Sequence, residues 1–166
     1  YSRMLGEEAG MGPEDAARLL NASLMYDVGK IGLPDKLLEA ASNPGKGARA
    51  IIDAEIKFGV KILGNDNSQL LTMARTIVTT FREHYDGSGY PKGLKGSDIP
   101  LVGRIVAIAD MFETLTTQRA HTEAYSVPEA LIQLEACAGV QFDPELVRRF
   151  CSAESEILEI KSVLGD

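Results

Sequence analysis

Histidine is the scarcest informative residue: the 166-residue chain holds two, His84 and His121. A hydrolase built on a His-rich metal cluster needs several imidazoles, and two do not supply them. Cysteine is equally sparse. Cys137 and Cys151 match no metal or redox spacing, so free thiols in a cytoplasmic protein are expected. No apolar run approaches the roughly 18 residues that span a bilayer, and no signal-peptide pattern is present, so membrane insertion is not expected. Positive charge is in deficit. Against 24 Asp and Glu there are 17 Lys and Arg, a net charge of −7, which argues against a general nucleic-acid or anionic-membrane binder.

The remainder is an ordinary globular composition, 45% hydrophobic and 25% charged, sufficient for one domain with its own core over residues 1–166. The chain starts at Tyr1 rather than Met, so it is expected to be a fragment of something longer.

Apolar spacing predicts helices almost throughout. Residues 1–10 have the pattern of a helix tail stopped by Gly10 and Gly12. Pro13, followed by Glu14 and Asp15, suits a first helical turn, and helical spacing then runs to Tyr26-Asp27. A short Leu37-Leu38 segment and an Asn43-Pro44-Gly45 loop precede a helix over 48–63. In that helix Glu55 lies in line with apolar neighbours. Asn65-Asp66-Asn67 can cap a helix over 68–84. Ser97-Asp98 with Pro100 reads as the start of the most apolar helix, 101–117, interrupted by a lone carboxylate, Asp110, that needs a partner or ligand. Ser126 with Glu129 begins a helix to Cys137, Asp143-Pro144-Glu145 begins another to Cys151, and a polar helix ends the chain. No strand-period alternation competes. The fold class is all-α.

One stretch breaks the pattern. Tyr85–Gly96 carries four glycines and a proline in twelve residues, which excludes a helix interior. Asp86-Gly87 and Ser88-Gly89 are turn chemistry, yet Tyr85, Tyr90 and Leu94 lie among them. It therefore reads as an ordered loop with its own shape, not a linker.

This loop, continued through Ile99-Pro100, Arg104-Ile105, Ile108-Ala109-Asp110 and Phe142-Asp143-Pro144, resembles the signature of the HD-GYP family. Upstream, Asp27-Val28-Gly29-Lys30-Ile31-Gly32 resembles that family's His-Asp segment. The resemblance implies an HD-domain helical bundle with an extended loop between two core helices, missing its first helix or part of it. It also implies a C-terminal output domain, following a sensory or receiver domain. Active members hydrolyse cyclic di-GMP at a two- or three-metal site, where the cations generate a hydroxide and neutralise phosphate charge.

Matched position by position, this chain departs from the family's ligands. Tyr26 stands for the His of the His-Asp pair, with Asp27 kept. Glu55 stands at a ligand-His position, and Phe81 and Arg82 at the paired histidines. Asp110 is kept. Phe81 offers no lone pair, Arg82 no acceptor, and Tyr26 coordinates only as a phenolate with a pKa near ~10. Asp27, Glu55 and Asp110 can either hold one divalent cation weakly through oxygen or be neutralised by Arg82. The ion-pair reading is preferred, with no catalytic residue and no cofactor expected. Lys30 and Arg119 are the phosphate contacts that the resemblance implies.

The functional expectation is an inactive domain that works as an interaction module in cyclic di-GMP signalling. Asp86, Gly87, Gly89, Tyr90, Pro91 and Lys92 would recognise GGDEF-domain (diguanylate cyclase) proteins. The alternatives are residual metal-dependent phosphodiesterase activity and a cyclic di-GMP receptor that binds without cutting.

Overall fold

The computed structural model describes residues 1–34, 48–118 and 123–164. Helix α1 (Ser2–Glu8) packs on α2 (Pro13–Ser23). α2 starts as predicted, with Pro13 in its first turn and Glu14 and Asp15 at the positive end of its dipole. It stops at Ser23, short of the predicted Tyr26-Asp27. The backbone tightens instead: Met25 N–H bonds to Ala22 O at 3.1 Å and Tyr26 N–H to Ser23 O at 3.2 Å. A short 3₁₀ helix, Val28–Gly32, follows. The cause is tertiary. Gly29 lies against α3 (Ala48–Leu63) so closely that a Cβ would sit 1.9 Å from the Glu55 carbonyl oxygen. Only glycine permits that approach. The Leu37-Leu38 segment and the Asn43-Pro44-Gly45 loop lie outside the described residues.

Helix α4 (Gln69–Thr80) is capped by Ser68, whose hydroxyl accepts from Leu71 N–H. It ends four residues before the predicted 84. The Arg82 carbonyl, which a continuing helix would use internally, accepts from Tyr90 N–H at 3.0 Å, so the loop competes for it and wins. A 3₁₀ turn at Gly96–Asp98 leads into α5 (Leu101–Thr116), which begins after Pro100 as expected and ends one residue before the expected 117. Helices α6 (Val127–Ala136), α7 (Pro144–Ser152) and α8 (Glu154–Leu164) complete the chain. The Ser126–Glu129 capping box forms, with Ser126 N–H donating to Glu129 at 2.8 Å. Among the described residues one isolated bridge, Ala138 to Phe142, is the whole β content. The fold is all-α.

α5 is the central helix. Ile105, Ile108 and Phe112 are fully buried against Leu5, Ile77, Leu134 and Phe150, and Phe112 meets Phe150 edge to face at 5.1 Å. Side chains of this size contribute about 1.5–3 kcal/mol each on burial. At its start Arg104 pairs with Asp143 at 2.5 Å, and Asp143 also caps α7 by accepting from Glu145 N–H at 2.9 Å. No described helix is long and apolar enough to cross a membrane.

Candidate functional site

The fold draws four of its segments together at one place. The turn after α2 brings Tyr26 and Asp27, α3 brings Glu55, the end of α4 brings Phe81 and Arg82, and α5 brings Asp110. Glu55 is 7% exposed at its side chain. Both of its oxygens accept from Arg82 Nη2, at 2.9 and 3.2 Å. The guanidinium rests on the Phe81 ring, 4.8 Å from its centroid. Phe81 in turn meets Tyr26 edge to face at 5.2 Å. The Tyr26 hydroxyl donates to Asp110; burial, reinforced by that carboxylate, pushes the phenol well above its ordinary value of 10. Asp27 is paired with Lys30 at 3.1 Å, and the Lys30 ammonium lies 5.9 Å from the Tyr26 ring centroid.

These side chains do not fit a catalytic metal cluster. Phe81 is apolar, and Arg82 places a fixed positive charge where a cation would stand. Tyr26 offers a cation only a phenolate oxygen, and its burial beside Asp110 favours the neutral phenol. The three carboxylates each have a partner within the protein: Asp27 has Lys30, Glu55 has Arg82 and Asp110 has Tyr26. Among the described residues no group of three His, Cys, Asp or Glu side chains could hold an ion.

A pocket of about 270 Å³ opens between the end of α4, the loop and α5. Phe81, Arg82 and Asp110 line it; Tyr26, Asp27, Glu55 and Lys30 do not. Arg119 lies outside the described residues, so its expected pairing with Lys30 around a phosphate has no geometry here.

The loop is ordered by its own hydrogen bonds. Gly87 N–H donates to His84 O at 2.9 Å, Gly96 N–H to Tyr85 O at 2.9 Å, and Ser88 N–H to the Asp86 carboxylate at 2.8 Å. Two further bonds tie it to the turn before α7: Tyr85 N–H to Gln141 O at 3.1 Å and Asp86 N–H to Val140 O at 3.0 Å. Gly89 crosses the chain so closely that a Cβ would lie 2.1 Å from His84 N. The Tyr90–Pro91 peptide is cis.

Two residues here escaped the sequence reading. Glu83 is 3% exposed, and its carboxylate accepts from Lys92 N–H at 2.7 Å and Leu94 N–H at 3.0 Å. The available signal was an acid at the foot of a glycine loop whose amides need acceptors. Arg49, on the first turn of α3, lies over the Tyr90 ring at 4.9 Å; no local pattern announces that contact.

A family model described as an HD domain matches residues 1–146. The chain is 34% identical, over its full length, to a 3'3'-cGAMP-specific phosphodiesterase 2 of Vibrio cholerae serotype O1, of which it covers 32%. It is 34% identical over 96% of its length to a cyclic di-GMP phosphodiesterase of Thermotoga maritima, covering 43% of that protein. The chain thus spans less than half of these curated relatives. A solved structure of a cyclic GMP-AMP-specific phosphodiesterase from Vibrio cholerae superposes with a TM-score of 0.68 at 20% identity, over 95% of this chain and 42% of that one. At that identity the likeness concerns the fold.

Proposed function

The chain belongs to the HD-domain family, and from that premise we propose that it is a non-hydrolysing member serving as an interaction module in cyclic-dinucleotide signalling. One observation carries this. Arg82, at a position where the family resemblance expects a metal-ligand histidine, is ion-paired with the buried Glu55, at another. The positive charge that metal ions bring to such a site is supplied by the protein's own guanidinium, and a guanidinium generates no hydroxide. Hydrolysis loses its nucleophile. The loop, meanwhile, keeps its internal bonding and its buried Glu83 anchor. Asp86, Gly87, Gly89, Tyr90, Pro91 and Lys92 are the recognition surface in this reading, GGDEF-domain proteins the partners, and a sensory or receiver domain the upstream neighbour in the cytoplasm.

The activities named for the relatives favour residual hydrolysis instead, with Asp27, Glu55 and Asp110 around one divalent cation. A direct assay separates the two. Protein supplied with Mn²⁺ or Fe²⁺ is expected to leave cyclic di-GMP and its linear product uncut, and to pull down one or more members of a GGDEF-domain panel. Tyr90→Ala is expected to abolish the capture. Turnover above a Glu55→Ala control would defeat the proposal, and equal capture by Tyr90→Ala would remove the loop from it.

A further inference from the structure

Both ends of the Tyr85–Gly96 loop lead back to one side chain on α5. On the exit side, the Pro100 carbonyl is the first that α5 uses, accepting from Gly103 and Arg104 N–H at 2.9 and 3.2 Å. The Ile99 carbonyl, one position earlier in a residue 1% exposed, accepts instead from Arg104 Nε at 2.8 Å. On the entry side, Tyr85 and Asp86 N–H donate to the Gln141 and Val140 carbonyls. The turn that offers those carbonyls is closed by Gly139 N–H on Phe142 O at 2.8 Å, and it runs straight into Asp143. There Arg104 Nη1 donates to Asp143 Oδ2, while Oδ1 caps α7.

Neutralising a buried carboxylate needs only the second of these arginine contacts. The bond from Nε to Ile99 O answers no charge. It turns another edge of the same planar guanidinium towards the chain leaving the loop, and planarity fixes the angle between the two edges. A lysine ammonium would satisfy Asp143 but has no such fork. The pair is 17% and 7% exposed at its side chains, so little water competes for it. The loop also closes on itself through Gly96 N–H to Tyr85 O at 2.9 Å. Entry, exit and closing bond are thus linked through Arg104, and the stretch from Asp86 to Lys92 lies between them.

We propose that Arg104 is a positioning residue, clamping both ends of the loop and so presetting the face that a partner reads. The inference rests on the reading of the loop as a recognition surface, and it adds a residue that acts on that surface from beneath. A loop already held in its bound shape loses little freedom on association, so loosening its ends weakens binding without removing a contact.

Amide hydrogen exchange on the full chain tests the clamp. In wild type the Tyr85, Asp86 and Gly96 amides are expected to open as one unit, with a common dependence on denaturant. Arg104→Lys keeps the charge and loses the fork. It is expected to speed exchange of those three amides at least tenfold, while Ile77 and Ile108 in the core helices stay protected. Asp143→Asn keeps an oxygen for the Glu145 amide and is expected to loosen the same three, with no further gain in the double variant. Arg75→Lys alters another arginine bound to backbone carbonyls, those of Gly64 and Asp66, and is expected to leave the three unchanged. With the GGDEF-domain panel as probe, Arg104→Lys is expected to bind at least tenfold more weakly than wild type. Independent opening of the three amides in wild type, or wild-type exchange in both variants, overturns the clamp. Equal loosening of the α5 core amides overturns it too, in favour of a general loss of stability. Undiminished capture by a protein whose loop has loosened overturns its part in recognition. No capture by wild type overturns the interaction reading alone, and exchange still decides the clamp.

Discussion

Arg82 and Glu55 are unequally exposed, 30% and 7% at their side chains, and that inequality decides what each substitution costs. Arg82→Leu strands a buried carboxylate, whereas the arginine itself retains partial access to water. The expected loss is about 2 kcal/mol, between the ~0–1 of a surface pair and the ~3–5 of a broken buried one. Glu55→Leu with Arg82→Leu is expected to recover most of it, since no charge is left unpaired; urea midpoints of both variants check this. Tyr26 gives a pH signature. Its folded-state pKa is raised, first by burial and then by Asp110, so its contribution is fully present below the ordinary value of 10 and is lost as pH rises above it. Tyr26→Phe is expected to cost about 1 kcal/mol at neutral pH through the lost bond to Asp110. Its urea midpoint should then fall less than that of wild type between about pH 8 and about pH 11.

At the level of elements, apolar periodicity and capping residues placed the helices well, because Ser126 and Asp143 act locally on their own first turns; for α4 the cap is Ser68, one residue past the Asn65-Asp66-Asn67 expected there. The errors lie at ends set by distant chain. α2 gives way early so that Gly29 can press on Glu55, and α4 gives up its last turn because Tyr90 takes the Arg82 carbonyl. Neither contact has a local pattern. Gly29→Ala is therefore expected to be among the most destabilising single-methyl additions, about 3 kcal/mol or more, since backbone and not a flexible side chain must yield. Thermal unfolding measures it. Glu83→Ala is expected to act differently: it frees the Lys92 and Leu94 amides, seen as faster hydrogen exchange there, while α5 amides stay protected.

For the molecule as a whole, the all-α class was legible because helical spacing persists through nearly every segment, and α5 stood out as the most apolar of them. Much of the candidate site was legible as well. Arg82 near three carboxylates left two readings open, and the geometry places it on Glu55. What could not be read was the interlock of the loop: Glu83 beneath it, Arg49 on Tyr90, and Arg104 bound to the cap of α7 all join residues distant in sequence or direction. Together these contacts describe a scaffold that holds a shaped loop beside a pocket where a guanidinium stands in the place expected for metal ions. Elemental analysis of protein purified without chelator from cells supplied with iron and manganese tests that claim most directly. Metal far below one equivalent per chain, in wild type and Glu55→Ala alike, is the predicted result. One or more equivalents retained through gel filtration by wild type, and lost in Glu55→Ala or Asp110→Ala, would contradict it.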